Sequence, residues 1–381
     1  MTSAAAATTA ARSDGRQIMP GDPVPWFNQR TTNAPSYEFQ TVGGRYVLMC
    51  FYATAGDAIG RAALDAIAAH RALFDDRRMS VFGVSLDPAD ASEERIAASI
   101  PGIRHFLDYD GAVTRQFGLL PKDGAADPAA ARRLWVLIDP MLRVMAVFPL
   151  AEHAAVFAAL QRLPPRERFA GFEIPPPILV LPNVFEPALC RHLIGLYEAD
   201  GGTDTGVMQE VDGKTVEVHS SRFKKRRDYV IEDQQLIRQL QGRFRRRVNP
   251  EIEKVHFFKP TRMERYIVSC YAAEEGGVFV AHRDNTTAGT AHRRFAVSIN
   301  LNDEFEGGEV SFPEYSPRGF KAPPGGAVVF SCTLLHAVSL VTSGRRYAFL
   351  PFLYDDAAAR IREANAGLVA GGSDYKADRP G

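Results

Sequence analysis

Cysteine is scarce in this sequence, and its few positions follow no pattern. The 381 residues include four cysteines, Cys50, Cys190, Cys270 and Cys332, with no C-x-x-C pair among them. A disulfide framework or a cysteine-based zinc site needs closer and more regular spacing. We therefore expect four free thiols in a reducing compartment, most of them buried as small hydrophobic side chains.

Net charge and long apolar runs are missing as well. Lysine and arginine together number 45, as do aspartate and glutamate, so no overall field draws the chain to nucleic acid or to a membrane. No run approaches the roughly 18 apolar residues of a membrane span. Residues 1–18 are rich in Ala, Thr and Ser but have no apolar core typical of a secretory signal. We expect a disordered tail there, and a soluble, cytoplasmic protein that binds neither membranes nor nucleic acid.

The first half of the chain alternates strand-like and helix-like segments, and we assign residues 19–163 to one domain. Its predicted strands are Tyr46–Tyr52, Val81–Leu86, Trp135–Ile138 and Val144–Phe148, and its predicted helices are Arg61–Leu73 and Glu152–Leu163. This alternation predicts an α/β sandwich. The Pro-rich residues 164–177 are typical of a semi-rigid linker, with an edge strand as the alternative.

The second half contains short β-rich runs separated by Gly and Pro, which is typical of a double-sheet jelly roll. The clearest runs are Phe295–Asn302, Glu306–Pro313 and Pro323–Phe330, and an amphipathic helix is predicted after Pro187. We assign residues 178–356 to this β domain. Residues 357–381, where Gly, Ala and Asp are scattered among charges, are predicted to form a loose tail.

Two histidines and one aspartate in the β domain have the spacing of a metal site. His282 and Asp284 are two residues apart, so both side chains leave an extended strand on the same face. His336 comes much later and should arrive on another strand. Two imidazoles and one carboxylate form the facial triad of non-haem Fe(II) oxygenases, although such a set also binds zinc and a single histidine is usually structural.

An arginine follows at a distance that suits an anion site. Arg346 lies ten positions after His336, beyond a turn at Thr342–Gly344, and the even spacing places both on one face of a regular hairpin. A guanidinium there can hold a carboxylate through two parallel hydrogen bonds. A one-residue bulge would put Arg345 in its place.

With these residues in view, the segment from about Ile178 to Tyr354 resembles the catalytic core of the prolyl 4-hydroxylase-type 2-oxoglutarate/Fe(II) dioxygenases, especially the hypoxia-sensing prolyl hydroxylases. The motifs that carry this resemblance are Ile267–Tyr271, Gly276–Asn285, Gly307-Gly308, Pro323–Gly326 and Arg346–Ala348. It implies Fe(II) and the co-substrate 2-oxoglutarate, with L-ascorbate (vitamin C) keeping the iron ferrous.

The same resemblance assigns roles to individual positions. It implies that Tyr271 contacts 2-oxoglutarate. It also implies such a contact at Asn300, where the family often has a tyrosine. The expected reaction converts 2-oxoglutarate to succinate and CO2 while a C–H bond is hydroxylated.

The first domain resembles the peroxiredoxin branch of the thioredoxin fold, but its reactive cysteine is missing. The similar stretches are Gly21–Phe27, Phe51-Tyr52, Phe106–Gly111 and Phe117-Gly118. Gly60 stands where peroxiredoxins have the peroxidatic cysteine, and Asp57 stands where they have a threonine. Cys50 lies inside the preceding strand, where packing is its expected role. We expect a scaffold or recognition domain without peroxidase activity. Its contacts would be with the oxygenase domain, with a second copy of the chain in a homodimer, or with a macromolecular substrate.

Two basic runs stand out, Arg222–Arg227 and Arg243–Arg247. The second belongs to a predicted amphipathic helix and is expected to be a solvated face. The first lies where the resembled family has a loop that covers the substrate, so an anionic substrate or an acidic peptide would suit it.

The sequence therefore predicts an Fe(II)- and 2-oxoglutarate-dependent dioxygenase. Its substrate would be a peptide, a protein side chain or a small molecule. The alternatives are a non-catalytic metal-binding jelly roll and a redox adaptor; the missing cysteine argues against a thiol peroxidase.

Overall fold

The computed structural model describes residues 17–372 and 375–378, which form two compact units. The N-terminal unit contains residues up to Pro175 together with Pro313–Pro317, and the C-terminal unit contains Pro176–Phe312 and the residues from Arg318 onward. Most of the predicted N-terminal tail, residues 1–16, lies outside the described residues. Its last part differs from the expectation: Ile18 is buried in the hydrophobic core, and its backbone N–H donates to the carbonyl of Phe117 at 3.1 Å.

The N-terminal unit is built on one seven-stranded sheet with the strand order β2-β1-β5-β4-β3-β6-β7. Its strands are β1 Asn28–Thr31, β2 Ala34–Glu38, β3 Tyr46–Ala53, β4 Met79–Ser85, β5 Ile103–Leu107, β6 Leu134–Ile138 and β7 Val144–Pro149. Its helices are α1 Ala58–Ala69, α2 Pro88–Ser92, α3 Ala112–Gln116 and α4 His153–Gln161. Strands β3, β4 and β5 are parallel, whereas β1, β2, β6 and β7 pair antiparallel.

The central strands of this sheet are covered on both faces. Alternate residues of β3 pack into two hydrophobic clusters: Val47, Met49 and Phe51 belong to one, and Leu48 and Cys50 to the other. Parallel strands buried on both faces read as continuous apolar runs, which is why β3 and β4 were recognisable in the sequence. The predicted α/β sandwich of the thioredoxin type is confirmed.

The C-terminal unit is β-rich and has four helices. Its strands are β8 Leu179–Leu181, β9 Thr203–Asp204, β10 Val207–Val211, β11 Lys214–Val218, β12 Lys224–Lys225, β13 Arg227–Val230, β14 Arg262–Glu264, β15 Ile267–Ala272, β16 Val278–His282, β17 Phe295–Asn300, β18 Phe305–Gly307, β19 Val310–Phe312, β20 Ser316–Phe320, β21 Ala327–Ser331, β22 His336–Val338, β23 Val341–Phe349 and β24 Phe352–Tyr354. Its helices are α5 Pro187–Asp200, α6 Gln234–Arg247, α7 Asn249–His256 and α8 Asp356–Ala364.

Two antiparallel sheets form the body of this unit. The smaller sheet has the order β12-β16-β22-β19-β20, and the larger runs β14-β24-β17-β23-β15-β13-β9, with β21 paired to β17 and β8. The larger sheet packs against helices, because Leu193 of α5, Phe244 of α6 and Phe349 of β23 share one buried cluster. The predicted jelly roll with flanking helices is confirmed.

The C-terminal residues are more regular than the loose tail predicted for residues 357–381. Helix α8 covers most of the first ten of them, and the Asp355 side chain caps it by accepting a hydrogen bond from the Ala358 backbone N–H at 2.9 Å. An aspartate at this position satisfies an orphan N–H of the first turn, and the alanines that follow favour a helix. Residues 373–374 and 379–381 of the predicted tail lie outside the described residues.

The four cysteines are free and buried, as the sequence predicted. Within residues 17–372 and 375–378, no helix combines the length and the apolar character needed to cross a membrane.

Candidate metal and co-substrate site

The antiparallel pairing of β16 and β22 brings the two candidate histidine ligands together. His282 and His336 are direct partners in the register, and Asp284 follows β16, where its backbone N–H donates to the carbonyl of Cys332 at 3.0 Å. The His282 Nε2 atom lies 3.5 Å from Asp284 Oδ1, and the His336 Nε2 atom lies 3.3 Å from Asp284 Oδ2. One ligand atom from each of the three residues lies within 4.8 Å of the others, close enough to hold one metal ion.

Backbone carbonyls fix the orientation of both imidazoles. The His282 Nδ1 atom lies 2.8 Å from the carbonyl oxygen of Val280, and the His336 Nδ1 atom lies 3.0 Å from that of Leu334. A carbonyl only accepts hydrogen bonds, so Nδ1 is the protonated nitrogen and the Nε2 lone pair faces Asp284. Phe279 stacks on the His282 ring at a centroid distance of 3.6 Å and restricts its rotation.

The electrostatic environment favours metal binding at this cluster. Burial lowers the pKa of His336 to about 4, so its imidazole is neutral at neutral pH. A neutral imidazole is the form that coordinates a metal. The donor set of two imidazoles and one carboxylate fits Fe(II) with open coordination positions.

Arg346 lies on β23 directly opposite Tyr271 of β15 and is buried, with 1% of its surface exposed. Its Nε donates to Asn300 Oδ1 at 3.0 Å, and its Nη2 donates to Ser298 Oγ at 2.7 Å. Its Nη1 is buried without a partner among the described residues. An unpaired buried donor is costly unless a ligand completes it. Arg346 therefore has the free donor that an anionic co-substrate needs.

One cavity joins Arg346 to the metal cluster. Its lining includes Tyr271, His282, Asp284, His336 and Arg346. Arg345, the alternative anchor, points away from the cavity lining: its side chain is half exposed, and its Nε donates to Glu274 Oε1 at 2.6 Å. The pairing of β23 with β15 is regular at Arg345 and Arg346, as the prediction for Arg346 required.

Tyr271 and Asn300, the other two predicted co-substrate residues, differ in position. Tyr271 lines the cavity, and its hydroxyl accepts a hydrogen bond from Arg226 Nη1 at 3.3 Å. Asn300 already uses both polar atoms, because Oδ1 accepts from Arg346 and Nδ2 donates to the carbonyl of Ala322 at 2.8 Å. Asn300 therefore orients Arg346, whereas the sequence comparison had implied a direct contact with 2-oxoglutarate.

The basic run Arg222–Arg227 contains site residues that the sequence analysis did not identify. Lys224, Arg226 and Asp228 are buried, whereas Lys225 and Arg227, which alternate with them, are exposed. Arg226 Nη2 donates to Asp228 Oδ2 at 2.7 Å, and Arg226 lines the cavity. Alternation with a period of two, ending on an acidic residue, was the available signal that one face of this segment points inward.

The second basic run, on α6, is less solvated than predicted. Arg243 Nε and Arg247 Nη2 bind the two carboxylate oxygens of Glu186 at 2.8 and 2.6 Å. These two hydrogen bonds lower the pKa of Glu186 to about 2. The run therefore helps to fix α6 beside the start of α5.

The N-terminal unit has no thiol where a peroxiredoxin would need one. The Asp57 carboxylate caps α1 by accepting from the Gly60 N–H at 2.8 Å, and it also binds Arg133 Nη1 at 2.6 Å. A Cβ atom added to Gly60 would lie 1.8 Å from the carbonyl oxygen of Thr54, so this backbone has no room for a cysteine. Cys50 is fully buried in β3, and burial raises the pKa of its thiol well above the usual value, which makes it unreactive.

Comparison with protein families gives one match in each unit. Residues 266–354 match the 2OG-Fe(II) oxygenase superfamily. Residues 20–147 match the AhpC/TSA family. The first range contains the whole cluster of His282, Asp284, His336 and Arg346.

Curated relatives match part of this chain. A PKHD-type hydroxylase of Hyphomonas neptunium is 28% identical over 128 residues, which is 30% of this chain and 56% of the relative. A PKHD-type hydroxylase of Delftia acidovorans is 38% identical over 98 residues, which is 23% of this chain and 40% of the relative. The chain thus spans about half the length of the curated relatives it matches.

Solved structures resemble each half separately. A prolyl hydroxylase from Trichoplax adhaerens, in complex with a peptide fragment of hypoxia inducible factor, covers 49% of this chain and 86% of its own at 15% identity and a TM-score of 0.39. The yeast mitochondrial 1-Cys peroxiredoxin covers 38% of this chain and 77% of its own at 18% identity and a TM-score of 0.31. The family matches therefore identify an oxygenase-type segment at residues 266–354 and an AhpC/TSA-type segment at residues 20–147.

Proposed function

We propose that this protein is an Fe(II)- and 2-oxoglutarate-dependent dioxygenase that hydroxylates a C–H bond of its substrate. The observation that carries the proposal is a single cavity that contains the three convergent ligand atoms together with Arg346, whose Nη1 is buried without a partner. A metal site alone would not need a buried arginine in the same cavity, and an anion site alone would not need three convergent metal ligands. Residues 266–354 match the 2OG-Fe(II) oxygenase superfamily, whose name pairs iron with 2-oxoglutarate, and this match supports the proposal.

The residues have separate tasks in this proposal. His282, Asp284 and His336 hold Fe(II) through two Nε2 atoms and a carboxylate oxygen. Arg346 grips the distal carboxylate of 2-oxoglutarate, while Ser298 and Asn300 keep the guanidinium in place. Tyr271 borders the same space, where its ring lies 5.2 Å from the Arg346 guanidinium carbon. The bound iron and 2-oxoglutarate supply the O2 chemistry, in which 2-oxoglutarate yields succinate and CO2 and the substrate C–H becomes C–OH.

The surrounding side chains favour this chemistry by excluding water. Val310, Phe330, Val338 and Phe352 line the cavity next to the polar groups. An apolar lining strengthens the hold of Arg346 on a carboxylate, because the competing solvent is absent. Asp284 takes the position that a halide would need in a halogenating enzyme, so hydroxylation or desaturation is the expected outcome.

A reductant and the N-terminal unit have supporting roles in this function. L-ascorbate should stimulate turnover by keeping the iron ferrous. The N-terminal unit serves as a scaffold or recognition domain, because it retains two hydrophobic clusters and lacks a reactive thiol. The curated relatives are named as hydroxylases, which supports the reaction type.

The test is succinate release from 2-oxoglutarate by the full-length protein loaded with Fe(II) in air. Wild type should release succinate, and His336→Ala should fall to the background rate. His219→Ala is the matched control, because this histidine is half exposed and bonds to Asp204 outside the cavity. Iron binding by wild type without any succinate release would favour a non-catalytic metal-binding module, and full activity in His336→Ala would refute the ligand assignment.

A further inference from the structure

A second cavity lies next to Asp284, and its lining is strongly cationic. The basic side chains that border it are Lys224, Arg226, Arg265, Arg283 and Arg293, and Asp284 is the one acidic residue among the described lining residues. It shares Arg226, Arg265, Phe279 and Asp284 with the first cavity, but Arg346 and His336 do not border it. A molecule in the second cavity would therefore reach the metal cluster from a different position than 2-oxoglutarate.

The cations around this cavity are unusually buried. Lys224, Arg226 and Arg283 expose 6%, 5% and 7% of their surface. Removing a positive charge from water is costly unless a negative group compensates it. A buried cationic surface that borders open space is thus a candidate anion site.

Arginines near this cavity share their carboxylate partners. Asp228 binds both Arg226, at 2.7 Å, and Arg265, at 3.5 Å. Glu264 binds both Arg293, at 2.8 Å, and Arg362, at 2.9 Å. Two carboxylates therefore serve four arginines. Asp284, the acid that borders the cavity, would be engaged by the metal in the proposed function.

Two residues that border the cavity have donors without an anionic partner. The Lys224 Nζ donates to neutral acceptors, Thr205 Oγ1 at 2.6 Å and the carbonyl of Gly206 at 2.9 Å, and it has no carboxylate partner among the described residues. Burial lowers the pKa of Lys224 to about 7, which a bound anion would reverse. The Arg226 Nε is buried and has no hydrogen-bond partner in the described part of the chain.

We propose that this second cavity binds an oxyanion of the substrate, a carboxylate or phosphate of a small molecule, and so holds the C–H bond that is oxidised close to the metal cluster. This inference rests on the proposed function, because the bound oxyanion belongs to a substrate only if the protein is the proposed dioxygenase. It narrows the substrate class to acidic compounds, since a neutral segment would leave the buried Lys224 without an anionic partner.

The test measures anion binding to the full-length protein by calorimetry, under argon, with Fe(II) and saturating 2-oxoglutarate so that Arg346 is already occupied. The probes are inorganic phosphate and acetate in separate titrations, and the one that binds more tightly identifies the oxyanion. Lys224→Met is compared with Lys225→Met, because Lys225 is the next residue of β12 and is exposed. Loss of one charge-assisted hydrogen bond of about 1.5–3 kcal/mol predicts at least a roughly tenfold weaker affinity in Lys224→Met and no change in Lys225→Met.

Equal affinity in wild type, Lys224→Met and Lys225→Met, or no binding of either probe to wild type, would overturn the proposal. Arg265→Gln provides a second variant if Lys224→Met does not fold, and it should weaken the same probe. Succinate release by wild type is measured on the same preparation. If succinate release is absent while phosphate or acetate binding depends on Lys224, the proposed function fails and the anion site stands. If succinate release is present but neither probe binds, the anion site alone fails.

Discussion

The surroundings of Gly60 in the N-terminal unit and the cavity around Asp284 in the C-terminal unit differ in how completely the protein satisfies its own polar groups. Near Gly60, Asp57 is bonded by a backbone N–H and by Arg133, and the buried Asp90 accepts hydrogen bonds from the Ala55 N–H and the Ser85 hydroxyl. Around Asp284, both Nε2 atoms face a carboxylate, and buried nitrogens of Arg346 and Arg226 have no partner among the described residues.

This difference distinguishes a retained scaffold from a site prepared for ligands. A buried donor without a partner costs about 1–3 kcal/mol, so it persists where a ligand completes it. The N-terminal unit has a hydrophobic core, and the region around Gly60 is closed by internal hydrogen bonds and by the absence of room for a side chain at Gly60. The C-terminal unit keeps the incomplete groups that a metal, a co-substrate and a substrate would complete.

The largest effect is expected for Asp284→Ala, which removes the carboxylate shared by both imidazoles. We expect the variant to lose bound iron, because the two histidines alone hold the ion weakly. The measurement is iron per chain after reconstitution and dialysis. Asp303→Ala, at an exposed position of the same unit, should retain the wild-type iron content. Unchanged iron in Asp284→Ala would show that the cluster is not the metal site.

A large effect is also expected for Arg346→Ala, since the bidentate grip on a carboxylate would be lost. Removing one partner of a buried charge pair costs about 2–5 kcal/mol, which corresponds to a rise of at least roughly 30-fold in the 2-oxoglutarate concentration required. Succinate release against 2-oxoglutarate concentration measures it. Arg345→Ala should behave as wild type, because its side chain is half exposed and bound to Glu274. A strong effect in Arg345→Ala alone would reverse the assignment.

In the N-terminal unit, Gly60→Cys tests whether the missing thiol is the only obstacle to peroxidase activity. We expect no peroxide consumption and a loss of about 1–3 kcal/mol in the free energy of unfolding, because the new Cβ would overlap the Thr54 carbonyl oxygen. Urea denaturation measures the stability. Ala58→Cys, at the exposed first turn of α1, is the control and should be close to wild type. Peroxidase activity in a stable Gly60→Cys variant would show that the site is still competent.

The smallest effect is expected for Asp57→Asn, which keeps a side-chain oxygen for the helix cap and removes the ion pair with Arg133. Burial acts to raise the pKa of Asp57, but hydrogen bonds from Gly60 and Arg133 outweigh it and lower the pKa below 3.8. The stabilisation is therefore present above pH 3.8 and is lost as the pH falls through the lower folded-state value. Because the carboxylate is 40% exposed and screened, we expect less than about 1 kcal/mol.

Unfolding of wild type and Asp57→Asn at pH 7 and at pH 2.5 measures this contribution. The difference between the two proteins should shrink at the lower pH. A difference that grows instead would mean that the carboxylate does not stabilise the folded state through its charge.

Local periodicity was sufficient to predict both folds and the cluster of candidate ligands. His282 and Asp284 are two residues apart, and β22 delivers His336 to the register position opposite His282. The choice of Arg346 over Arg345 depended on a regular strand after Gly344, and the pairing with β15 is regular there. These inferences combined the spacing of side chains on strands with the family resemblance, and Asp284 itself lies in the turn that follows β16.

Long-range compensation of charge was not predictable in the same way. Lys224 and Arg226 belong to a run of basic residues that normally indicates an exposed segment, and their burial depends on Asp228, on Tyr271 and on the acceptors of residues 205 and 206. The hydrogen bond from Arg346 Nε to Asn300 Oδ1 likewise joins residues that are 46 positions apart in the sequence. The sequence contains these partners but does not indicate which of them meet.

The most direct test of the contrast between the two units is a parallel assay of both reactions on one preparation of the full-length, Fe(II)-loaded protein. We predict succinate release from 2-oxoglutarate and no thiol-dependent consumption of peroxide. Peroxide consumption that disappears in Cys50→Ser, together with no succinate release from wild type, would contradict the account.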